Sequence, residues 1–161
     1  MNGLLFIVVL SLLAVGYARD QEAELAIPRC EKVCPVGWVE NGNQCYFILH
    51  EKKEAFVGLY LCKQLGASLP IIKSAEENAF LVSLTEGKGD PWLGMIGPNG
   101  DNVFEWLDGT TVAFSAWNTG EPNDPGSENC GTMYVSGSGK GKWNDEPCSN
   151  PRVIVCQMEK K

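Results

Sequence analysis

The sequence predicts an α+β domain stapled by disulfides, with two helices, short antiparallel strands and one long irregular loop region rich in oxygen-bearing side chains. Three observations predict it. Two segments, near residues 55–66 and 74–87, repeat apolar residues at helical spacing, whereas the neighbouring stretches 38–49 and 92–95 read as strands. Seven cysteines follow an apolar N-terminal run of the secretory type, and thiols on that route are mostly paired. After Met95, Gly, Pro, Asn and Asp dominate and both periodicities fade. Compact domains seldom hold long irregular loops unless the loops bind something, because ordering such backbone costs conformational entropy.

The elements follow in chain order. Residues 4–15 are apolar, and Gly16 and Ala18 stand at the −3 and −1 positions of a signal-peptidase site, so residues 1–18 read as a signal peptide. The protein is therefore expected to be secreted and extracellular. A membrane-spanning helix needs roughly 20 apolar residues, and this run gives way sooner, to Arg19 and Asp20. Residues 19–29 are polar and acidic and read as a flexible lead, which leaves residues 30–161 for a single domain. Within 38–49, Asn41-Gly42-Asn43 signals a tight hairpin, and Cys34 and Cys45 flank it closely enough to staple it. Ala55, Leu59, Cys62 and Leu65 share one helical face, with Gly66 as C-terminal cap. Ser74-Ala75-Glu76-Glu77 has the form of a capping box ahead of Phe80, Leu81 and Leu84, and that helix ends by Gly87. A buried strand is expected over 92–95. The sequence contains no internal repeat and no Asn-x-Ser/Thr site.

Composition excludes several functions. A net charge of −7 argues against nucleic acid and anionic membranes as partners, since affinity for phosphates comes mainly from Lys and Arg. Zinc is disfavoured: three residues separate Cys30 from Cys34, and His50 is the only histidine.

Between residues 98 and 145 stand seven Asp or Glu and six Asn, against only two basic residues, Lys140 and Lys142. Clustered carboxylates repel one another unless a cation sits among them, and calcium takes six to eight oxygens from carboxylates, amides and water. The alternative for such a composition is a solvated acidic loop. The arrangement is more specific than the composition. Glu121-Pro122-Asn123, then Glu128 shortly before Cys130, then Trp143-Asn144-Asp145 shortly before Cys148, would converge if those two cysteines paired. Pro122 suggests a rigid, cis turn that aims Glu121 and Asn123 at one point. Trp143 reads as a core anchor of a strand rather than a stacking platform for a ligand.

At these residues the chain resembles the C-type lectin family, from Cys30 to the C-terminus. The resemblance rests on Trp92-Leu93-Gly94-Met95, the Glu-Pro-Asn triplet at 121–123, Glu128, the Trp-Asn-Asp triplet at 143–145, and cysteines 34, 45, 62, 130, 148 and 156 in the family's long-form order. It implies the C-type lectin-like fold, two helices flanking small antiparallel sheets with a calcium-organised loop region. It also implies the pairs Cys34–Cys45, Cys62–Cys156 and Cys130–Cys148, with Cys30 left unpaired or free to join a second chain. Glu121, Asn123, Glu128, Asn144 and Asp145 would hold one calcium ion and bind the sugar as well. Two neighbouring sugar hydroxyls replace calcium-bound water, donating to the carboxylates and accepting from the Asn amides. The Glu-Pro-Asn order resembles that of the binders of mannose, N-acetylglucosamine, glucose and fucose. Members with an auxiliary calcium carry an acidic residue where this chain has Gly97, although Asp101, Asp124 and Asn129 fall at other positions of that site, so the resemblance leaves a second ion open. The expected partners are mannose-type glycans, on microbial or other cell surfaces, and a homo-oligomer in which linked sites gain from effective concentration.

Competing readings fare less well. Gly137-Ser138-Gly139-Lys140-Gly141-Lys142 lacks the Ser or Thr and the following helix of a phosphate loop, and reads as a hairpin turn. Glu121 and Glu128 as a glycosidase pair would need one raised pKa, which calcium ligation opposes, and His50 lies in a charged helix entrance, so no enzyme activity is expected. The rival from another class is a domain of the same fold that binds a protein or another non-sugar ligand.

Overall fold

The computed structural model describes residues 31–97, 101–124 and 126–161; the signal-peptide reading, the lead and Cys30 lie outside the described residues. The hairpin signal yields β1 (Val39–Asn41) and β2 (Gln44–Ile48), antiparallel with Asn41 opposite Gln44 and Gly42 at φ 58° in the turn. Strand β7 (Val155–Glu159) adds to the other edge of β2, with Phe47 opposite Cys156, in the sheet order β1-β2-β7. The two ends of the domain are thereby joined, and Val33 N–H donates to the Lys161 carbonyl at 3.0 Å.

Helix α1 (Ala55–Gln64) buries Ala55, Gly58 and Cys62 and packs partly buried Leu59 against the same core, the face that the spacing predicts. Leu65, the C-cap residue, departs from it and is exposed. The helix approaches the core closely at Gly58, where a Cβ would stand 2.2 Å from Cδ1 of the buried Ile154. Gly66 does end the helix, at φ 71°, with its N–H on the Lys63 carbonyl and that of Ala67 on the Cys62 carbonyl, both at 2.9 to 3.0 Å. Those two bonds constitute a Schellman motif. Helix α2 (Ala75–Thr85) has Ser74 as N-cap, its Oγ accepting the Glu77 N–H at 3.2 Å. The Glu77 carboxylate accepts from Lys73 N–H at 2.6 Å, one residue earlier than a strict capping box requires.

The second sheet has the order β4-β3-β5-β6, from β3 (Trp92–Ile96), β4 (Glu105–Trp106), β5 (Cys130–Met133) and β6 (Trp143–Glu146). Gly94 lets β3 meet the chain after α1: its N–H donates to the Pro70 carbonyl at 2.7 Å, and a Cβ would lie 2.7 Å from the Leu69 carbonyl oxygen. Residues 137–142 connect β5 to β6 with one 3-10 turn, Gly137–Gly139, as the hairpin reading anticipated. Fully buried Trp143 is the hub of the core here, with Trp106, Phe114 and Trp117 packed edge-on at centroid distances of 5.6, 5.6 and 5.8 Å. Its indole N–H donates to Asn78 Oδ1 at 2.7 Å, which ties α2 to the start of β6.

Three disulfides, Cys34–Cys45, Cys62–Cys156 and Cys130–Cys148, link these parts in the pairing that the resemblance implies. The second pins α1 to β7 across 94 residues, a closure worth about 4 to 5 kcal/mol in the chain-entropy treatment. The architecture is α+β and disulfide-stapled.

Candidate functional site

The site grows from β6. Asn144 and Asp145 lie opposite Thr132 and Gly131 of β5, and Glu128 stands two residues before that strand begins. The loop carrying Glu121-Pro122-Asn123 is laid back against the start of β6 by backbone bonds: Trp143 N–H to the Ala116 carbonyl at 2.8 Å, and Asn118 N–H to the Trp143 carbonyl at 2.9 Å. Asp145, fully buried, then draws in the loop tip. Its carboxylate accepts the Asn123 N–H at 3.2 and 3.3 Å on its two oxygens, and the Asp124 N–H at 3.5 Å. The Glu121–Pro122 peptide is cis, as the sequence reading expects. Cys130–Cys148 closes the far end of the β5–β6 pair. Sequence positions 22 apart thus meet at one place.

The electrostatics of this place are one-sided. Burial raises the Glu121 carboxyl above its ordinary value, and the hydrogen bond and charge of Asp145, then the charge of Glu128, raise it further; the Asn123 side chain opposes them with a hydrogen bond. Glu128 is raised in the same way, first by burial, then by Asp145, Asp124 and Glu146. No lysine or arginine is among the groups acting on either. Glu121 Oε2 is buried without any hydrogen-bond partner. Buried oxygen acceptors are almost always satisfied, and two facing carboxylates cannot satisfy each other while both are ionised. Counting only His, Cys, Asp and Glu, no group of three among the described residues is arranged to hold a metal. The set here is mixed: Glu121 touches Asp145, Glu128 acts at longer range, and amides complete it. Asn144 donates through its Nδ2 to the Asp145 carbonyl at 2.7 Å, which leaves its amide oxygen available to a ligand. Three carboxylates and two amide oxygens are a donor set suited to calcium, and the orphaned Glu121 oxygen is what such an ion would satisfy.

Two neighbouring features were not visible in the residue pattern. Glu146, next in β6, carries a side chain only 8 % exposed, yet Arg152 grips it through Nε at 2.9 Å and Nη2 at 2.6 Å, with Asn150 donating at 3.0 Å. It is satisfied internally and stands outside the donor set. A basic residue four past Cys148 was the available signal. At Gly97, a Cβ would approach the Phe104 ring to 3.1 Å, so an acidic side chain there would have to displace that ring. Asp101 accepts the Val103 N–H at 3.1 Å and Asn129 donates to the Gly126 carbonyl at 3.2 Å, so both are engaged within their own loops.

Comparison with known proteins places these features in context. The model of the Lectin C-type domain family matches residues 51–158. The mouse CD209 antigen-like protein A is 30% identical over 144 residues, which cover 88% of this chain and 58% of the relative. The chain therefore spans little more than half the length of that curated relative. Among solved structures, the C-type lectin domain of murine dendritic cell inhibitory receptor 2, determined in complex with N-glycan, is 30% identical over 80% of this chain and all of its own, with a TM-score of 0.73. A calcium-independent type II antifreeze protein superposes at a TM-score of 0.74, with 26% identity over 81% of this chain and 98% of its own. Among the described residues, no helix is long and apolar enough to cross a membrane.

Proposed function

Since the chain belongs to the C-type lectin domain family, we propose that it binds mannose-type sugars through a calcium ion held by Glu121, Asn123, Glu128, Asn144 and Asp145. The observation that carries the reading is the convergence of Glu121 and the Asn123 backbone on buried Asp145, with Glu121 Oε2 unpartnered and no basic side chain to balance the charge. A calcium ion held by these residues would offer coordination to two neighbouring hydroxyls in place of water. The chain's own groups do the rest. Carboxylate oxygens of Glu121 and Glu128 accept the hydroxyl protons, and amide hydrogens of Asn123 and Asn144 donate to the hydroxyl oxygens, so that only vicinal hydroxyls of matching orientation satisfy both. Asp145 and the backbone bonds to β6 orient the loop. The N-glycan complex of the murine receptor domain supports a sugar as ligand.

The protein acts as a binder and not as an enzyme. Its setting is secreted, with glycans of microbial or other cell surfaces as partners and several copies acting together. Retention on mannan resin in calcium, with release by chelator, tests the reading. Equal retention in both conditions would argue against the calcium route, and no retention in either would favour a non-sugar ligand of the kind that the antifreeze likeness suggests. Absence of calcium uptake in calorimetry of the oxidised protein would overturn the proposal.

A further inference from the structure

Among the described residues, ion pairs engage Lys53, Lys73, Lys140, Arg152 and Lys160. Lys52 and Lys88 take part in none of these pairs, and both line one cavity of about 400 Å³ together with Ile48, Leu49, His50 and Val153. None of these residues belongs to the calcium-ligand set. No acidic side chain lines the cavity, in a chain whose net charge is −7.

The lysines are arranged by the loop after α2. Lys88 donates one of its three N–H groups to the Leu84 carbonyl at the end of that helix, at 3.0 Å, and so is tethered with donors to spare. Gly89 sits at φ 112°, and a Cβ there would come within 2.8 Å of Lys52 Nζ and 3.7 Å of Val153 Cγ2. The bare glycine gives the Lys52 ammonium room against the loop, beside an apolar wall. Two lysines lining a concave, partly apolar surface with no acidic side chain give it a positive potential, which an anion relieves. The remaining walls, Ile48, Leu49 and Val153, cannot bind a bare hydrated ion but can cover an apolar body, and the volume lies within the range of small-molecule sites.

We infer that this cavity binds a small organic anion carrying an apolar body, such as a short-chain sulfate ester or carboxylate, independently of the sugar site. The test is an amide-resonance titration of the intact, oxidised, calcium-loaded protein with hexyl sulfate and with hexanoate, set beside neutral hexanol and inorganic sulfate. Both anionic amphiphiles should shift Leu49, His50 and Val153 saturably. Hexanol should bind about tenfold more weakly, as should inorganic sulfate, and K52Q/K88Q should weaken the amphiphiles by about tenfold. Both lysines are exposed, and a spectrum of K52Q/K88Q that overlays the parent outside the cavity shows an intact fold. The inference is overturned if hexanol binds as tightly as hexyl sulfate, if K52Q/K88Q binds unchanged, or if the shifts are absent or fall elsewhere.

Discussion

Replacing Glu121 with Gln should change stability in opposite directions with and without calcium. In chelator, Glu121 and Asp145 are neighbouring carboxylates, with Glu128 adding to the repulsion and no basic group opposing it. Unit charges about 4 Å apart repel by roughly 1 kcal/mol in water and roughly 4 kcal/mol at an effective dielectric of about 20. Glu121 is only partly buried, so the lower figure applies, and the Gln amide also donates to Asp145 without needing a shared proton. The variant should therefore be more stable than the parent by about 1 kcal/mol, or about 3 °C in melting temperature for a domain of this size. In saturating calcium the lost charged ligand dominates: each tenfold loss of affinity removes about 1.4 kcal/mol of ligand-linked stability. Thermal unfolding of both proteins, disulfides intact, in chelator and in millimolar calcium measures the two shifts. The reasoning fails if Glu121→Gln destabilises the calcium-free protein, or if its effect is the same in both conditions.

Two further outcomes follow from the same geometry. Burial and mutual repulsion raise Glu121 and Glu128 in the calcium-free fold, so that fold takes up protons more readily than the unfolded chain; their stabilising contribution is full below the ordinary carboxylate pKa and is lost as pH rises through the raised values. Calcium requires the ionised forms, so the melting-temperature gain from calcium should shrink as pH falls through the raised values, and a gain that stays constant down to full protonation of the carboxylates would contradict the assignment of these ligands. At the back of β6, Arg152→Met strands the Glu146 carboxylate; with Arg152 itself 32 % exposed and Asn150 still donating, the cost in guanidinium denaturation should be about 2 to 3 kcal/mol, and adding Glu146→Met should restore most of it.

The parts legible in the sequence were those with local causes. Gly42 in the hairpin, Gly66 beyond α1 and Ser74 before α2 act within a few residues of themselves, and the structure uses each at its expected position. The Glu-Pro-Asn and Trp-Asn-Asp triplets could be recognised because oxygen donors without counter-charges are conspicuous in any order. On the α1 stripe only Leu65 fails, because it is the C-cap residue and lies exposed, while the close approach of Ile154, 96 residues later, to Gly58 has no local sign. Glu146 and Gly97 were equally opaque, one matched by Arg152 and the other crowded by Phe104, through contacts that no local pattern encodes.

By itself, then, the sequence determined the class of fold, the caps and turns, and which side chains have chemistry to offer. Only tertiary structure decided that Asp145 would be the buried acceptor that gathers the Asn123 loop, that Glu146 would be neutralised by Arg152, and that Lys52 and Lys88 would face a common cavity. The physical reason is range. Capping and turn formation are settled by backbone donors a few residues apart, whereas charge pairing and close packing depend on which distant segments the sheets and disulfides bring together.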